Sequence, residues 1–209
     1  MIDISANQKV HGHFDQGNWF LYAGRPVVTD GGGPYKYGSR TYRRLMSSDS
    51  HNVAYIDGIS QMAGEAYKVV YREQANHYRL SFYSNVYGPE YIWHREFIIK
   101  KDLSKIVIKD KIQSKNKNQL QRCFANIIFA NSQYDTFSRQ NQKIILHSPL
   151  YPENRVTVSF KGNSSKTLMK TVETSPKINL LEQNKFLQIP FTTGGELITE
   201  INLGSAENQ

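Results

Sequence analysis

Short runs of alternating apolar and polar residues dominate this chain, and they constrain its fold more than any other feature. The runs recur between turn signals, for example AYKVVYRE (66–73), HYRLSFYS (77–84) and RVTVSF (155–160). Residues two apart on a strand point to the same face, so the two valines and the phenylalanine of the last run share an apolar face. No segment shows convincing helical periodicity, and the pattern therefore predicts antiparallel strands.

The clearest hairpin lies in EFIIKKDLSKIVIKD (96–110), with its turn near residues 101–104. Its second arm places isoleucines and Asp110 on one face and lysines on the other, which is typical of a half-buried antiparallel strand. A second hairpin is predicted around Gly24. The run HNVAYIDG (51–58) predicts a short strand that ends in a turn.

Roughly a dozen such strands predict an all-β fold, an antiparallel multi-stranded β-sandwich of the supersandwich kind without a substantial helical domain. Since no strong boundary interrupts the pattern, residues 1–209 are expected to form a single domain. The segment SRTYRRLMSSDS (39–50) fits either one helical turn or a loop.

The composition is strongly basic, with a formal net charge of +8 and a sequence pI of about 9.4. Such a charge favours polyanionic partners, which include nucleic acid, anionic lipid and acidic polysaccharide. The basic residues are densest from Lys100 to Arg122, where they also fit a solvated or lysine-protected sheet face. No nucleic-acid motif accompanies the charge, so nucleic acid is not expected as a partner.

Cysteine content and hydropathy limit the class of protein further. The single cysteine, Cys123, excludes an intrachain disulfide and is expected to be a small core residue, so a metal site must use histidine and carboxylate ligands. No apolar run is long enough to span a membrane. The first ten residues lack the apolar core of a signal peptide, and the compartment stays open.

The stretch KVHGHFDQGNWFLYAGRPVVTDGGG (9–33) carries the most chemistry. On a strand, His11 and His13 point to one face, and further along the chain come Asp30, before a glycine-rich loop, and His51. Loop-separated histidine and aspartate side chains can supply three ligands to zinc. Scattered ligands of this kind occur in many proteins. Spacing alone therefore does not decide between a metal site and a polar edge of a β-domain.

These residues resemble the C-terminal β-sheet domain of the heparinase II/III-like polysaccharide lyases. That family typically shows a His-x-His-x-Asp strand, a strand ending in Asp before a Gly/Tyr loop, then Ala-His-Asn-Thr and Asp-Gly-x-x-Gln. The matching segments here are HGHFD (11–15), DGGGPYKY (30–37), HN (51–52) and DGISQ (57–61). The run WHREFIIKKDLSKIVIKDKI (93–112) is also similar to a His-Arg hairpin of the family.

The resemblance implies β-elimination on an acidic polysaccharide linked at the 4-position of a uronic acid. A base removes the C5 proton, the carboxylate is neutralised, and an acid protonates the departing O4. By position, His11 matches the family's active-site histidine. His13, Asp30 and His51 match the ligands of a structural zinc seen in some members.

Further roles follow from the same resemblance. Asp15 is expected to support a ligand histidine by a hydrogen bond. Tyr35, Tyr37 and Arg40 lie on the loop after the metal-ligating aspartate and are expected to contact the sugar or its carboxylate, with structural packing as an open alternative. Asn52 is expected either to orient its histidine neighbour or to contact substrate.

Two departures from the family pattern stand out. The arginine of the family's Arg-Ser-Thr is replaced by Met46, and the threonine after His-Asn is Val53.

The family's helical toroid, which supplies a catalytic tyrosine, has no counterpart before the His-x-His segment. We therefore expect a separate toroid domain or subunit as partner, and little lyase activity from this chain alone. The alternative is a non-catalytic polysaccharide-binding or structural β-domain that retains the zinc site. Family members are commonly periplasmic or secreted.

Overall fold

The structure of the chain is a computed structural model that describes residues 1–4, 13–32, 35–116, 120–130, 135–149, 154–161, 167–177 and 179–205. Within these ranges the elements are strands, one short helix and one 3₁₀ turn. In chain order they are β1 (Leu21–Tyr22), β2 (Pro26–Val28), α1 (Arg40–Leu45), the 3₁₀ turn (Ser48–Ser50), β3 (Ala54–Ile56), β4 (Ala66–Glu73), β5 (His77–Ser84), β6 (Tyr91–Lys100), β7 (Lys105–Ser114), β8 (Arg122–Ile128), β9 (Thr136–Gln140), β10 (Lys143–His147), β11 (Asn154–Lys161), β12 (Leu168–Lys177), β13 (Leu180–Thr192) and β14 (Glu196–Ser205).

The strands form two large antiparallel sheets and a small ribbon. The larger sheet has eight strands in the order β4-β5-β6-β7-β14-β11-β10-β9, and the smaller has four in the order β12-β13-β8-β3. Strands β1 and β2 pair with each other through the predicted hairpin at Gly24, where φ is +69°. The prediction of an all-β antiparallel sandwich without a substantial helical domain is confirmed.

The hydrophobic core joins residues from both large sheets into one cluster. The eight-stranded sheet contributes alternate residues such as Phe97, Ile108 and Val158, while the four-stranded sheet contributes residues such as Ile127 and Leu187. In β7 the alternation of buried and partly buried residues follows the predicted faces along the strand. Burial of this apolar surface is the main stabilising contribution to such a sandwich.

Cys123 is a free, buried residue of β8, and burial raises the pKa of its thiol to about 12. It is therefore a small core residue, as predicted. In the described part of the chain, no helix has the length and apolar character that crossing a membrane requires.

The segment that the sequence left between helix and loop contains α1 followed by the 3₁₀ turn. Ser39 caps α1, because its side-chain oxygen accepts a hydrogen bond from the Tyr42 N–H at 3.0 Å. The Leu45 side chain is fully buried and anchors α1 in the protein interior. The 3₁₀ turn then ends directly at His51, so these two short elements set the position of a candidate ligand.

Candidate metal centre

Four side chains from three segments of the chain converge at one point. His13, Asp15, Asp30 and His51 each offer a ligand atom, and these atoms all lie within 4.8 Å of one another. His51 is fully buried, whereas the side chains of Asp15 and Asp30 keep 21% and 20% of their surface exposed. The cluster is thus held by the protein interior yet open to ions from solvent.

The tightest contact in the cluster joins His51 and Asp30. The His51 Nδ1 atom lies 2.7 Å from Asp30 Oδ1 and 3.9 Å from Asp15 Oδ2. Burial by itself would lower the pKa of His51, but the charge and hydrogen bond of Asp30 outweigh it and raise that pKa. Burial acts in the opposite sense on Asp30, yet the contact with His51 lowers the pKa of this carboxyl group.

The other two members are shifted mainly by burial. Burial, assisted by the charge of His51, lowers the pKa of His13, and the two imidazole centroids are 5.2 Å apart. Burial raises the pKa of Asp15, against the opposing charge of His51. His13 is therefore biased toward the neutral imidazole, which is the form that binds metal ions.

The segment that carries His13 and Asp15 is a braced turn rather than the predicted strand. Residues 13–15 form no strand, and the Asn18 N–H closes a turn onto the Asp15 carbonyl at 2.9 Å. The Phe14 N–H donates to the Met46 carbonyl at 3.0 Å, while the Ser48 hydroxyl donates to the Phe14 carbonyl at 2.7 Å. These bonds to the end of α1 and the 3₁₀ turn hold the segment against His51.

Gly32 lies between the two histidines, where a side chain has no room. A Cβ atom there would overlap His51 Cε1 and the Leu45 carbonyl oxygen, and would come 2.9 Å from His13 Nδ1. The glycine-rich loop after Asp30 therefore lets the backbone approach both histidines closely, as its composition predicts.

Asn52 holds the framework of the site together. It is fully buried, and its amide nitrogen donates to the carbonyls of Trp19 at 2.9 Å and Thr29 at 2.7 Å. Its side-chain oxygen accepts a hydrogen bond from the Ile128 N–H at 2.8 Å. A buried amide used in this way holds the backbone beside His51, which fits the first of the two roles expected of Asn52, while contact with substrate stays a prediction.

A fully buried ion pair lies behind the cluster. Arg95 donates to both carboxylate oxygens of Asp110, at 2.8 and 2.9 Å, and to the carbonyls of Gly17 and Asn52, each at 2.8 Å. The Trp93 indole N–H also donates to Asp110, at 2.9 Å. This network ties β6 and β7 to two of the three segments that carry candidate ligands, those of His13 and His51. The sequence placed Asp110 on the apolar face, but the partner that explains its burial was not predicted.

The glutamine of the DGISQ segment braces the same turn from another side. Gln61 accepts a hydrogen bond from the Gln16 N–H at 2.8 Å and donates to the Gln16 carbonyl at 3.0 Å. Its own N–H donates to the Ser48 hydroxyl oxygen at 2.8 Å. Gln61 thus holds the chain just after Asp15 and just before His51, without being a candidate ligand itself.

The remaining predicted residues lie around the cluster or outside the described part of the chain. Tyr35 is partly buried, and Arg40 is the exposed first residue of α1. Tyr37 is exposed, and its ring lies tilted by 38° against that of Tyr42, with centroids 4.8 Å apart. Their roles toward substrate stay predictions. His11 lies outside the described residues.

The donor set matches the chemistry of a zinc ion. Histidine nitrogens and carboxylate oxygens are ordinary zinc ligands, and four of them suffice for the tetrahedral site that structural zinc adopts. The structure places Asp15 among the potential ligands rather than only behind one of them. With Gly32 keeping the histidines close together, the residues fit such an ion.

Comparison with known proteins gives the fold a family. A family model described as "Heparinase II/III-like, C-terminal" matches residues 4–201. A mutant of heparan sulfate lyase from Pedobacter heparinus has a TM-score of 0.83 and 12% identity, and the match covers 100% of this chain and 33% of that one. A heparinase III structure has a TM-score of 0.74 and 16% identity, with 93% and 30% covered. The chain thus spans about a third of these solved chains, and no curated protein sequence matches it.

Proposed function

The chain belongs to the family of heparinase II/III-like C-terminal domains, and on that premise we propose that it forms the metal-binding part of a polysaccharide lyase site. The substrate class is an acidic polysaccharide that contains uronic acid. The observation that carries the proposal is the convergence of His13, Asp15, Asp30 and His51 in one partly open cluster. A basic surface, with a net charge of +8, favours a polyanionic substrate.

In this proposal zinc has a structural role. His13, Asp30 and His51 would hold the ion, with Asp15 as a fourth ligand or as a hydrogen-bond partner of a ligand histidine. When bound, the ion supplies positive charge and a cross-link between the three loop segments. The chain's own contribution is to fix those loops, through Asn52 and the Arg95–Asp110 pair, beside the place where a sugar would bind.

The proposed reaction is a β-elimination. A base takes the C5 proton, the electron pair of that C–H bond forms the C4–C5 double bond, and the C4–O4 bond breaks with protonation of the departing oxygen. His11 precedes His13 by two positions and is the proposed proton-transfer residue of this chain. A helical domain or subunit is proposed to complete the active site.

Ultraviolet absorbance tests the activity, since elimination creates a conjugated double bond. The chain is incubated with heparan sulfate, alginate and other uronate polymers, alone and together with the helical domain of a family member. We expect turnover of at least one polymer when the helical domain is present, little turnover by the chain alone, and loss of turnover in His11→Ala. Retained polysaccharide binding without any absorbance change in either setting would contradict the lyase and favour a binding domain.

A further inference from the structure

An aligned row of side chains crosses four strands on the outer face of the eight-stranded sheet. Tyr67, Tyr83, His94 and Lys111 lie opposite one another in register on β4, β5, β6 and β7. The rings of Tyr67 and Tyr83 stack with centroids 6.0 Å apart, and those of Tyr83 and His94 stack at 4.5 Å. Since paired residues of neighbouring strands lie on the same face, these four side chains form one continuous surface feature.

A bulge in β4 brings a second lysine to this feature. The register of β4 shifts between Tyr67 and Val70, and Lys68 within the shift has a φ of +50°. This left-handed backbone conformation is disfavoured for a residue that carries a Cβ atom. A bulge redirects the side chain, and the Lys68 ammonium group lies 5.7 Å from the centroid of the Tyr83 ring. Lys68 and the four aligned residues together form what we call the outer row.

The outer row faces away from the metal cluster. His94 lies between Trp93 and Arg95 on β6, and both of these neighbours are buried. Arg95 donates to the carbonyls of Gly17 and Asn52, in two of the segments that carry candidate ligands. Because successive residues of a strand point to opposite faces, His94 and the rest of the row lie on the far side of the sheet from these segments. A ligand of the outer row would therefore leave the metal cluster free.

The two lysines of the row are available to an anionic ligand. Lys68 is exposed and Lys111 is partly exposed. Among the described residues, neither ammonium group has a carboxylate within ion-pair distance, although three other lysines do. Glu96, on the same face, is 3% exposed and already held by two other cations, and Glu196 lies opposite Lys111 in register without forming an ion pair with it. An anion bound here would gain charge-assisted hydrogen bonds from both lysines.

The span between the two lysines suits a long ligand that is rich in hydroxyl groups. Neighbouring strands are about 4.8 Å apart, so the backbones of β4 and β7 are separated by about 14 Å. Between them lie the partly exposed side chains of Tyr67, Tyr83 and His94, whose polar groups can donate and accept hydrogen bonds. Tyr83 has a ring on either side, so a ligand would contact the polar edges of the rings rather than their faces. A polymer with carboxylates and hydroxyl groups along its length can contact the whole row at once.

We propose that the outer row is a second binding site for acidic polysaccharide, separate from the proposed lyase site on the other side of the sheet. Carboxylates of the polymer bind Lys68 and Lys111, and sugar hydroxyl groups bind Tyr67, Tyr83 and His94. The class of ligand rests on the proposed function, whereas the site itself does not involve the metal cluster. Such a site keeps a long polymer attached to the protein independently of the catalytic centre.

The test uses heparosan, a polymer in which uronate carboxylates are the only anionic groups, and its carboxyl-reduced derivative. Dissociation constants are measured by calorimetry for wild type and the double variant Lys68→Gln/Lys111→Gln. The control Lys143→Gln/Lys161→Gln removes the same charge from β10 and β11 of the same sheet. One lost charge-assisted hydrogen bond weakens binding about tenfold, so we expect at least that loss in the first double variant. The control should change the dissociation constant less than about threefold, through long-range attraction alone.

Further comparisons separate the outer row from the lyase site and from general charge attraction. The loss caused by Lys68→Gln/Lys111→Gln should be equally large in an Asp30→Ala background, because the row and the cluster lie on opposite faces. Tyr83→Phe removes a hydroxyl group and no charge, and it should weaken binding about threefold. The reduced polymer should bind wild type and the first double variant equally.

Equal weakening by the two double variants, or a loss that persists with the reduced polymer, would overturn the outer row as a binding site. Tighter binding of single-stranded DNA than of heparosan at the same salt concentration would also overturn it, since it would assign the row to a different polyanion. If wild type binds heparosan and the first double variant keeps that affinity, only the outer row fails. If wild type binds no acidic polysaccharide, the proposed function fails with it.

Discussion

Two acid–base pairs lie close together in this molecule, one fully buried and one with a partly exposed aspartate, and they differ in what surrounds them. Arg95 and Asp110 are on neighbouring strands of the larger sheet, 1% and 2% exposed, and their hydrogen-bonding groups are used by each other, by Trp93 and by two carbonyls. His51 and Asp30 are on loops, and two more titratable groups crowd the same space.

The difference separates a structural pair from a binding site. The charges of Arg95 and Asp110 are balanced within the protein, so nothing further is needed. In the cluster, two imidazoles and two carboxylates converge, and the pKa of Asp15 is raised because burial disfavours its charge. A divalent cation bound among these four groups would stabilise the charged form of Asp15. The two pairs are joined through Arg95, which holds the carbonyl next to His51.

The largest effect is expected from the structural pair. Asp110→Asn leaves the Arg95 guanidinium buried without a counter-charge, and we expect the free energy of unfolding to fall by about 3–5 kcal/mol. Urea denaturation measures the change. The control Lys105→Gln breaks a partly exposed pair with Glu200 and should change stability by less than about 1 kcal/mol. Equal losses in the two variants would remove the distinction between a structural pair and a surface pair.

Zinc should stabilise the other region. At free zinc one hundred times the dissociation constant, binding to the folded state adds about 2.7 kcal/mol to the free energy of unfolding. The same addition should have no effect on His13→Ala, whereas the control His147→Ala, an exposed histidine of β10, should respond as wild type does. Zinc-dependent stabilisation that survives in His13→Ala would place the ion elsewhere.

The space between the two histidines gives a third prediction. Gly32→Ala adds a methyl group against His51, Leu45 and His13, and we expect a loss of about 1–3 kcal/mol together with weaker zinc binding. In Gly204→Ala the added Cβ has nothing within 4 Å, which makes it the matched control. Thermal unfolding with and without zinc measures both effects. Wild-type zinc affinity in Gly32→Ala would show that the glycine does not set the ligand spacing.

The smallest effect concerns a third charged group, on the outer side of the larger sheet. Burial would raise the pKa of Glu96, but hydrogen bonds from Lys109 and Arg79 outweigh it and lower that pKa. A lowered carboxyl pKa adds stability above the ordinary carboxyl range, and this stability disappears as the pH falls through the lowered value. We expect the free energy of unfolding of wild type to exceed that of Glu96→Gln by about 1 kcal/mol at neutral pH. In acid the two free energies of unfolding should converge, and urea denaturation at several pH values measures the difference. A difference that grows on acidification would reverse the assigned sign.

The sequence predicts the strands better than it predicts the site. The alternation along β7 and the turn near 101–104 are local properties, so the hairpin could be read directly. The identity of the cluster residues came from a family resemblance, and their convergence depends on contacts between the 13–18 turn and the end of α1. The place of Asp15 among the potential ligands results from that turn.

Two features could not be found from local pattern. The carboxamide of Asn52 is used by three backbone groups from separate segments, and a sequence gives no sign of such partners. Lys170 lies opposite Phe186 because β12 pairs with β13. Strand order within a sheet depends on long-range pairing, so a sequence does not show such neighbours.

Native mass spectrometry of the zinc-loaded chain shows whether the cluster binds a metal ion, because it counts ions per polypeptide. We expect a single zinc ion in wild type and in His147→Ala, and none retained in His13→Ala or Asp30→Ala. A wild-type chain without bound zinc, or a ligand variant that keeps its ion, would contradict the metal-binding role of the cluster.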